Sequence, residues 1–351
     1  MPKDRMLDMH MHLADLRHPE WIGMAARRDG AERYCVLSLA MKADPLNNLA
    51  CLRVKQLDPE NAYAFCSLTY DGGRNDYLRQ LRMWKEVGFD GWKILEAKPN
   101  YAAGNLYPPL DDEQYEPAFA FAEAERFPIV LHVGDPAPCW QAQMYNVYSG
   151  QTAAGCYYQG GYPTLKDLYR QTENVLRRHP GLHLSLAHLY FTSDDQPHAR
   201  RLLETYPNLR MDLTPGAEMY LAFQKEPHTW RQFFLEFGDR LMFGSDTEPE
   251  EKPDMHSPAQ WPSGFVQRFL CEGGEQSLFG NTVKGFDLPE RVRGRILYQN
   301  FVDFVGGEPH GLNRRILGVA CQWVQQVLDD LGRHEESELG ESMRTQLLHH
   351  G

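Results

Sequence analysis

Positive charge is what this 351-residue sequence has least of: 36 Lys and Arg stand against 48 Asp and Glu, for a formal net charge of -12. Duplex nucleic acid and anionic membrane surfaces reward a basic face, so both are excluded in favour of a small-molecule partner. No apolar run approaches the ~20 residues that span a bilayer, and no basic segment with an apolar one behind it opens the chain. A cytoplasmic protein is the expectation. The seven cysteines, at 35, 51, 66, 139, 156, 271 and 321, are odd in number and include no C-x-x-C pair. Several sit in apolar strand-like runs and read as reduced core residues. Neither G-x-G-x-x-G nor G-x-x-x-x-G-K follows an early strand, which removes the usual phosphate cradle and weakens an open doubly wound sheet.

What is present is an alternation. Short β-rich runs, "RMLDMHM", "YCVLSLA", "AYAFCSLT", "DGWKIL", "IVLHVG", "LHLSLAHL", "LRMDLT" and "RLMFGS", are separated by helix-period stretches such as "DYLRQLRMWKEVG" and "TLKDLYRQTENVLRRHP". About eight such β/α units, with strands apolar on both faces, predict a TIM-type (β/α)8 barrel. The barrel is expected over residues 1–310. Beyond it, Ile316, Val319, Trp323, Val327 and Leu331 recur at helical spacing, predicting a C-terminal helical extension over 311–351 that packs on the barrel's outside. Its polar end, "RHEESELGESMRTQLLHHG", is expected to fray or to join a contact in a homo-oligomer.

Within "LDMHMHL" (residues 7–13), strict strand alternation puts Asp8, His10 and His12 on one face. Sites of such barrels form at the C-terminal strand ends, where His132, His188 and Asp246 also fall. Singly, each reads as a hydrogen-bonded core histidine or a helix-capping aspartate. Together, imidazoles and one carboxylate suit Zn²⁺ or another borderline divalent ion.

At these residues the sequence resembles the amidohydrolase superfamily, in its amidohydrolase-related branch that includes aminocarboxymuconate semialdehyde decarboxylase-like proteins. The segments that carry the resemblance are the D-x-H-x-H opening, "GFDGWKIL", "FPIVLHVGDP", "HPGLHLSLAH", "LRMDLT", "RLMFGSDT" and "RILYQNFVDFVG". The resemblance implies that His10, His12, His132 and Asp246 are metal ligands. It implies that His188 acts on substrate or binds a second metal, and that Asp8 supports the ligands. Relatives often place glycines after the strand 6 histidine, where this chain has Tyr190 and Phe191. Lys93 has three readings: a carboxylated bridge between two metals, a cation for a substrate carboxylate, or a packed stem with a solvated head. One divalent metal is expected, zinc first and manganese as the alternative, with Lys93 uncarboxylated.

Such a ligand set leaves room for an activated water, with Asp246 and His188 as the catalytic groups of a metal-dependent hydrolase. A carboxy-lyase acting on an aromatic or enoic acid is the alternative, and a metal-binding barrel without catalysis is a third reading. The long aromatic segment after strand 5 offers Trp140, Tyr145, Tyr157 and Tyr158 to sandwich a flat substrate, or to pack on one another. Tyr190 and Arg74 complete the expected substrate-lining residues.

Overall fold

The computed structural model describes residues 5–39, 45–70, 76–102, 107–141, 157, 160–257 and 262–349. Eight strands run in sequential order through one sheet: β1 (Leu7–Met11), β2 (Arg33–Leu37), β3 (Ala62–Cys66), β4 (Gly91–Ala97), β5 (Ile129–Val133), β6 (Leu184–Leu186), β7 (Leu209–Asp212) and β8 (Leu241–Met242). Every neighbouring pair is parallel. Backbone bonds then bring the end of β8 back to β1. Met9 N–H donates to the Phe243 carbonyl at 3.1 Å, Asp246 N–H to that of His10 at 2.8 Å, and His12 N–H to that of Thr247 at 3.0 Å. The sheet is thus a barrel with helices around it, as the alternation of short apolar runs and amphipathic stretches predicts.

The helices owe their ends to local chemistry. The helix Leu165–Arg178 starts where the Thr164 side chain accepts the Asp167 N–H, buries Leu168, Thr172, Val175 and Leu176, and finishes on Arg177 and Arg178 beside its negative pole. Asp195 caps the helix Gln196–Thr205 in the same way.

Inside the barrel, Leu7, Met9, Cys35, Leu37, Tyr63, Phe65, Val130 and Met242 form an apolar cluster with Tyr298, Phe301 and Phe304. The last three come from the helical segments Arg295–Gln299 and Asn300–Val305, which seal the N-terminal end. A Cβ on Gly91 would lie 2.4 Å from the Phe65 ring, so glycine at the start of β4 is what admits that ring to the interior. His10, His132, His188 and Asp246 lie toward the opposite, C-terminal end.

The chain's last two helices lie outside the barrel. Arg314–Asp330 packs on the helix Tyr77–Val87, and His334–His349 packs on the helix Leu46–Leu57. The polar end of the sequence is therefore a helix. It buries Gly340, Met343 and Leu347, spaced along a single face that the surrounding charges hide in the sequence.

Candidate metal centre

Strand β1 departs from simple alternation. Its register shifts between Asp8 and Met11. Leu7 and Met9 belong to the interior cluster, whereas Met11 packs in the core between sheet and helices. The side-chain sense reverses across this irregularity, as it does at a β-bulge. Asp8 is consequently separated from His10 and His12, contrary to strict alternation. Its carboxylate accepts the N–H of His10 at 3.2 Å and of Ser245 at 3.0 Å, joining β1 to the end of β8. Burial pushes the Asp8 carboxyl up to about 7 despite those bonds.

His10, His12 and Asp246 offer ligand atoms that all lie within 4.8 Å of one another. His12 Nε2 is 3.2 Å, and His10 Nε2 3.6 Å, from Asp246 Oδ1. Ligands ~2.1 Å from a tetrahedral ion are separated by ~3.4 Å, so these spacings are those of a coordination shell. The tautomers fit as well. His10 Nδ1–H donates to Asp212 Oδ2 at 3.0 Å and His12 Nδ1–H to the Leu37 carbonyl at 2.9 Å, leaving both Nε2 lone pairs directed at Asp246. Asp246 has 40% of its side chain exposed and a left-handed φ of 59°. Loss of water around it opposes ionisation, but the surrounding His12, His10 and His188 side chains outweigh this and hold its carboxyl well below the usual range. Close approach of β8 to β1 depends on Gly244, where a Cβ would lie 2.7 Å from His10 Cβ.

His132 and His188 form a second pair beside the first. His132 Nε2–H donates to the Gly134 carbonyl at 3.0 Å and His188 Nδ1–H to the Thr214 carbonyl at 3.2 Å. Their remaining nitrogens, His132 Nδ1 and His188 Nε2, face each other at 3.1 Å. With both rings neutral, two lone pairs meet there, an arrangement suited to a shared proton or a cation. His132 stands outside the 4.8 Å group, and its link to that group runs through the His188 ring, whose centroid is 5.4 Å from that of His10. Burial lowers the pKa of both His10 and His132 to about 3.

The sequence pattern extends strand 6 to Leu189, but β6 stops at Leu186. His188, Leu189, Tyr190 and Phe191 then take φ of 54°, 51°, 58° and 52°, one left-handed turn without a glycine. Each such L-residue costs about 1–2 kcal/mol. The turn reverses the expected roles of its aromatics. Tyr190 is buried against Tyr169 and His198, at centroid distances of 4.4 and 5.9 Å, on the helix side of the sheet. Phe191 instead stacks on His188 at 5.1 Å and meets His132 at 5.5 Å. Tyr190 is therefore removed from the lining of the site, and Phe191 takes its place.

Lys93 points inward, its backbone paired with that of the interior residue Val130, and its Nζ lies 3.2 Å from His10 Nε2. Burial brings its pKa down to about 8, against the pull of Asp212 and Asp246. Trp140 and Tyr157 pack together at 4.8 Å, with the Trp140 indole donating to the Pro163 carbonyl and the Tyr157 hydroxyl to Asp135 at 2.5 Å. Asp135 in turn pairs with Lys98 at 3.0 Å, beside His132. Arg74, Tyr145 and Tyr158 lie outside the described residues. Asp212, at the end of β7, is the central residue that sequence reasoning passed over, although "LRMDLT" contains it. An aspartate closing a strand has the same sequence signature as a helix cap.

Fold and donors together define a TIM barrel with a candidate metal centre at its C-terminal mouth. The chain belongs to the amidohydrolase family (Amidohydro_2), which it matches over residues 7–307. Solved structures with the same fold include 4-oxalomesaconate hydratase from Rhodopseudomonas palustris, at TM-score 0.53 and 14% identity, covering 86% of this chain and 95% of that one. A 2,6-dihydroxybenzoate decarboxylase in complex with 2,6-dihydroxybenzoate aligns at TM-score 0.54 and 14% identity over 87% and 100% of the two chains. A dihydroxybenzoic acid decarboxylase from Polaromonas sp., with bound manganese, aligns at TM-score 0.51 and 13% identity over 87% and 97%. Identities this low speak for the fold alone. No curated protein matches by sequence. No described helix is long and apolar enough to cross a membrane.

Proposed function

We propose that this protein is a metal-dependent hydrolase acting on a small cyclic or aromatic carbonyl substrate. The observation that carries this reading is the convergence of His10 Nε2, His12 Nε2 and the Asp246 carboxylate at the open end of the barrel. These residues would hold one divalent ion, zinc or manganese, while His132, its free nitrogen facing His188, stands outside the donor group. Such an ion supplies Lewis acidity, which brings the pKa of water to ~7 and polarises a carbonyl.

The chain's own groups do the rest. Asp246, ionised and open to solvent, accepts the proton of the attacking water and returns it to the leaving group. His188 donates from Nε2 to the oxygen that gains charge when it holds the proton shared with His132, its Nδ1–H staying on the Thr214 carbonyl. Phe191 offers its face to a flat substrate beside His188. Lys93 stays uncarboxylated beside His10, next to a single ion.

Elemental analysis of the purified protein tests the centre: one equivalent of zinc or manganese is expected, and protein that neither carries nor takes up such an ion refutes it. Lactones, amides and esters screened beside hydroxybenzoates and enoic acids test the chemistry, with proton release read against carbon dioxide. Asp246→Asn is expected to abolish hydrolysis, because neither water activation nor leaving-group protonation survives it. Decarboxylation is the second reading. Lys93 favours it, since a buried cation beside the donors would receive a substrate carboxylate, and two of the solved structures sharing the fold are decarboxylases. Carbon dioxide released without consumption of water would decide for it.

A further inference from the structure

One buried carboxylate touches both halves of the site. Asp212 is fully buried at the end of β7. Its Oδ2 accepts the Nδ1–H of His10 at 3.0 Å. Its Oδ1 accepts two backbone amides, the His188 N–H at 2.8 Å and the Thr214 N–H at 3.1 Å. The first bond fixes which nitrogen of His10 carries the proton. The second anchors the first residue of the left-handed turn, a run of four residues that has no glycine to make its backbone comfortable. Among the described residues, the one other side chain that reaches His10 Nδ1 is the Thr214 hydroxyl at 3.2 Å, and it hangs from a residue that Asp212 itself anchors.

We propose that Asp212 is a positioning residue that sets the ligating tautomer of His10 and holds the turn presenting His188, so that the two histidines depend on a single side chain. All three partners are donors, and an ionised carboxylate offers acceptors on both oxygens. An asparagine has one acceptor and one donor end, so it can serve His10 or the two amides but never both. If its oxygen stays on the amides, its NH₂ faces His10 Nδ1, the ring proton moves to Nε2, and the nitrogen directed at Asp246 loses its lone pair. If its oxygen turns to His10, its NH₂ confronts the amides of His188 and Thr214, and the turn loses its anchor.

The inference rests on His10 being a metal ligand, so the test includes readouts that need no metal. Apo protein with ¹⁵N-labelled histidine reports the His10 tautomer by NMR, amide exchange reports protection of the His188 N–H, and zinc titration reports affinity. Wild type is expected to show an Nδ1–H His10 and a protected His188 amide. Asp212→Asn is expected to lose one of the two, with zinc affinity falling about 10- to 100-fold when the tautomer is lost. Asp212→Ala is expected to lose both, and Thr214→Val, which removes only the hydroxyl, to keep both. An Asp212→Asn protein that retains the Nδ1–H tautomer and full His188 protection overturns the inference. Wild type that binds no zinc overturns the metal reading instead, and leaves Asp212 to be judged by tautomer and exchange. Should Asp212→Ala fail to fold, the asparagine variant, which preserves size, still decides.

Discussion

Gly244 leaves no room for a side chain beside the site. A methyl group there would meet Thr214 Oγ1 at 2.5 Å and His10 Cβ at 2.7 Å, and a Cβ on a strand cannot swing aside as a side-chain tip does. Gly244→Ala is expected to cost about 1–3 kcal/mol in urea unfolding and to displace His10 from its partners, weakening zinc binding. Stability and affinity that both match wild type would mean that β8 and β1 have slack at this point. At the same scale, legibility followed chemistry. His10, His12, His132, His188 and Asp246 announce themselves because imidazoles and a carboxylate at the corresponding ends of four strands are uncommon together. Asp212 does not, because its work is done on ring and backbone N–H groups that no sequence pattern displays. The turn of Asp8 away from the histidines is hidden for a similar reason: it follows from one register shift, and register belongs to pairs of strands.

Lys55 and Asp90 join two elements. The Lys55 ammonium, from the helix Leu46–Leu57, donates to Asp90 Oδ2 at 2.5 Å and to the Gly88 carbonyl at 2.8 Å, just ahead of β4. Asp90 also accepts the N–H of Ala64 at 2.8 Å and of His310 at 2.7 Å, which ties β3 and the chain after residue 305 to the same point. Lys55→Met leaves a carboxylate buried without its cation and is expected to destabilise by about 3–5 kcal/mol in denaturant unfolding. The pair Lys55→Met with Asp90→Asn is expected to cost less than the sum of the single changes. Strict additivity would show that the two groups do not act together. Elements with a strong period were the legible ones: each of the eight apolar runs overlaps a strand. The left-handed turn after β6 was not, because Ala-His-Leu-Tyr-Phe has the local preferences of a strand, and contacts from β7 and the surrounding helices override them.

At the scale of the molecule, the division of the chain near residue 310 is open to a direct test. The helix Arg314–Asp330 buries Leu317, Ala320, Cys321, Val324, Val327 and Leu328, and its Trp323 packs edge-on against Trp84 at 5.9 Å. Ending the chain at 310 uncovers that surface on the barrel's flank, so the shortened protein is expected to aggregate or to melt below the full chain in differential scanning calorimetry. An unchanged melting temperature would make the two C-terminal helices a passive attachment. The aromatic seal at the other end of the barrel bears on traffic. With Tyr298, Phe301 and Phe304 packed against Tyr63 and Phe65 and the interior filled by their neighbours, the described residues leave substrate and product to share the mouth at the other end. A product must vacate the mouth before the next substrate enters, and added product is expected to raise the apparent KM in steady-state kinetics while leaving the limiting rate unchanged.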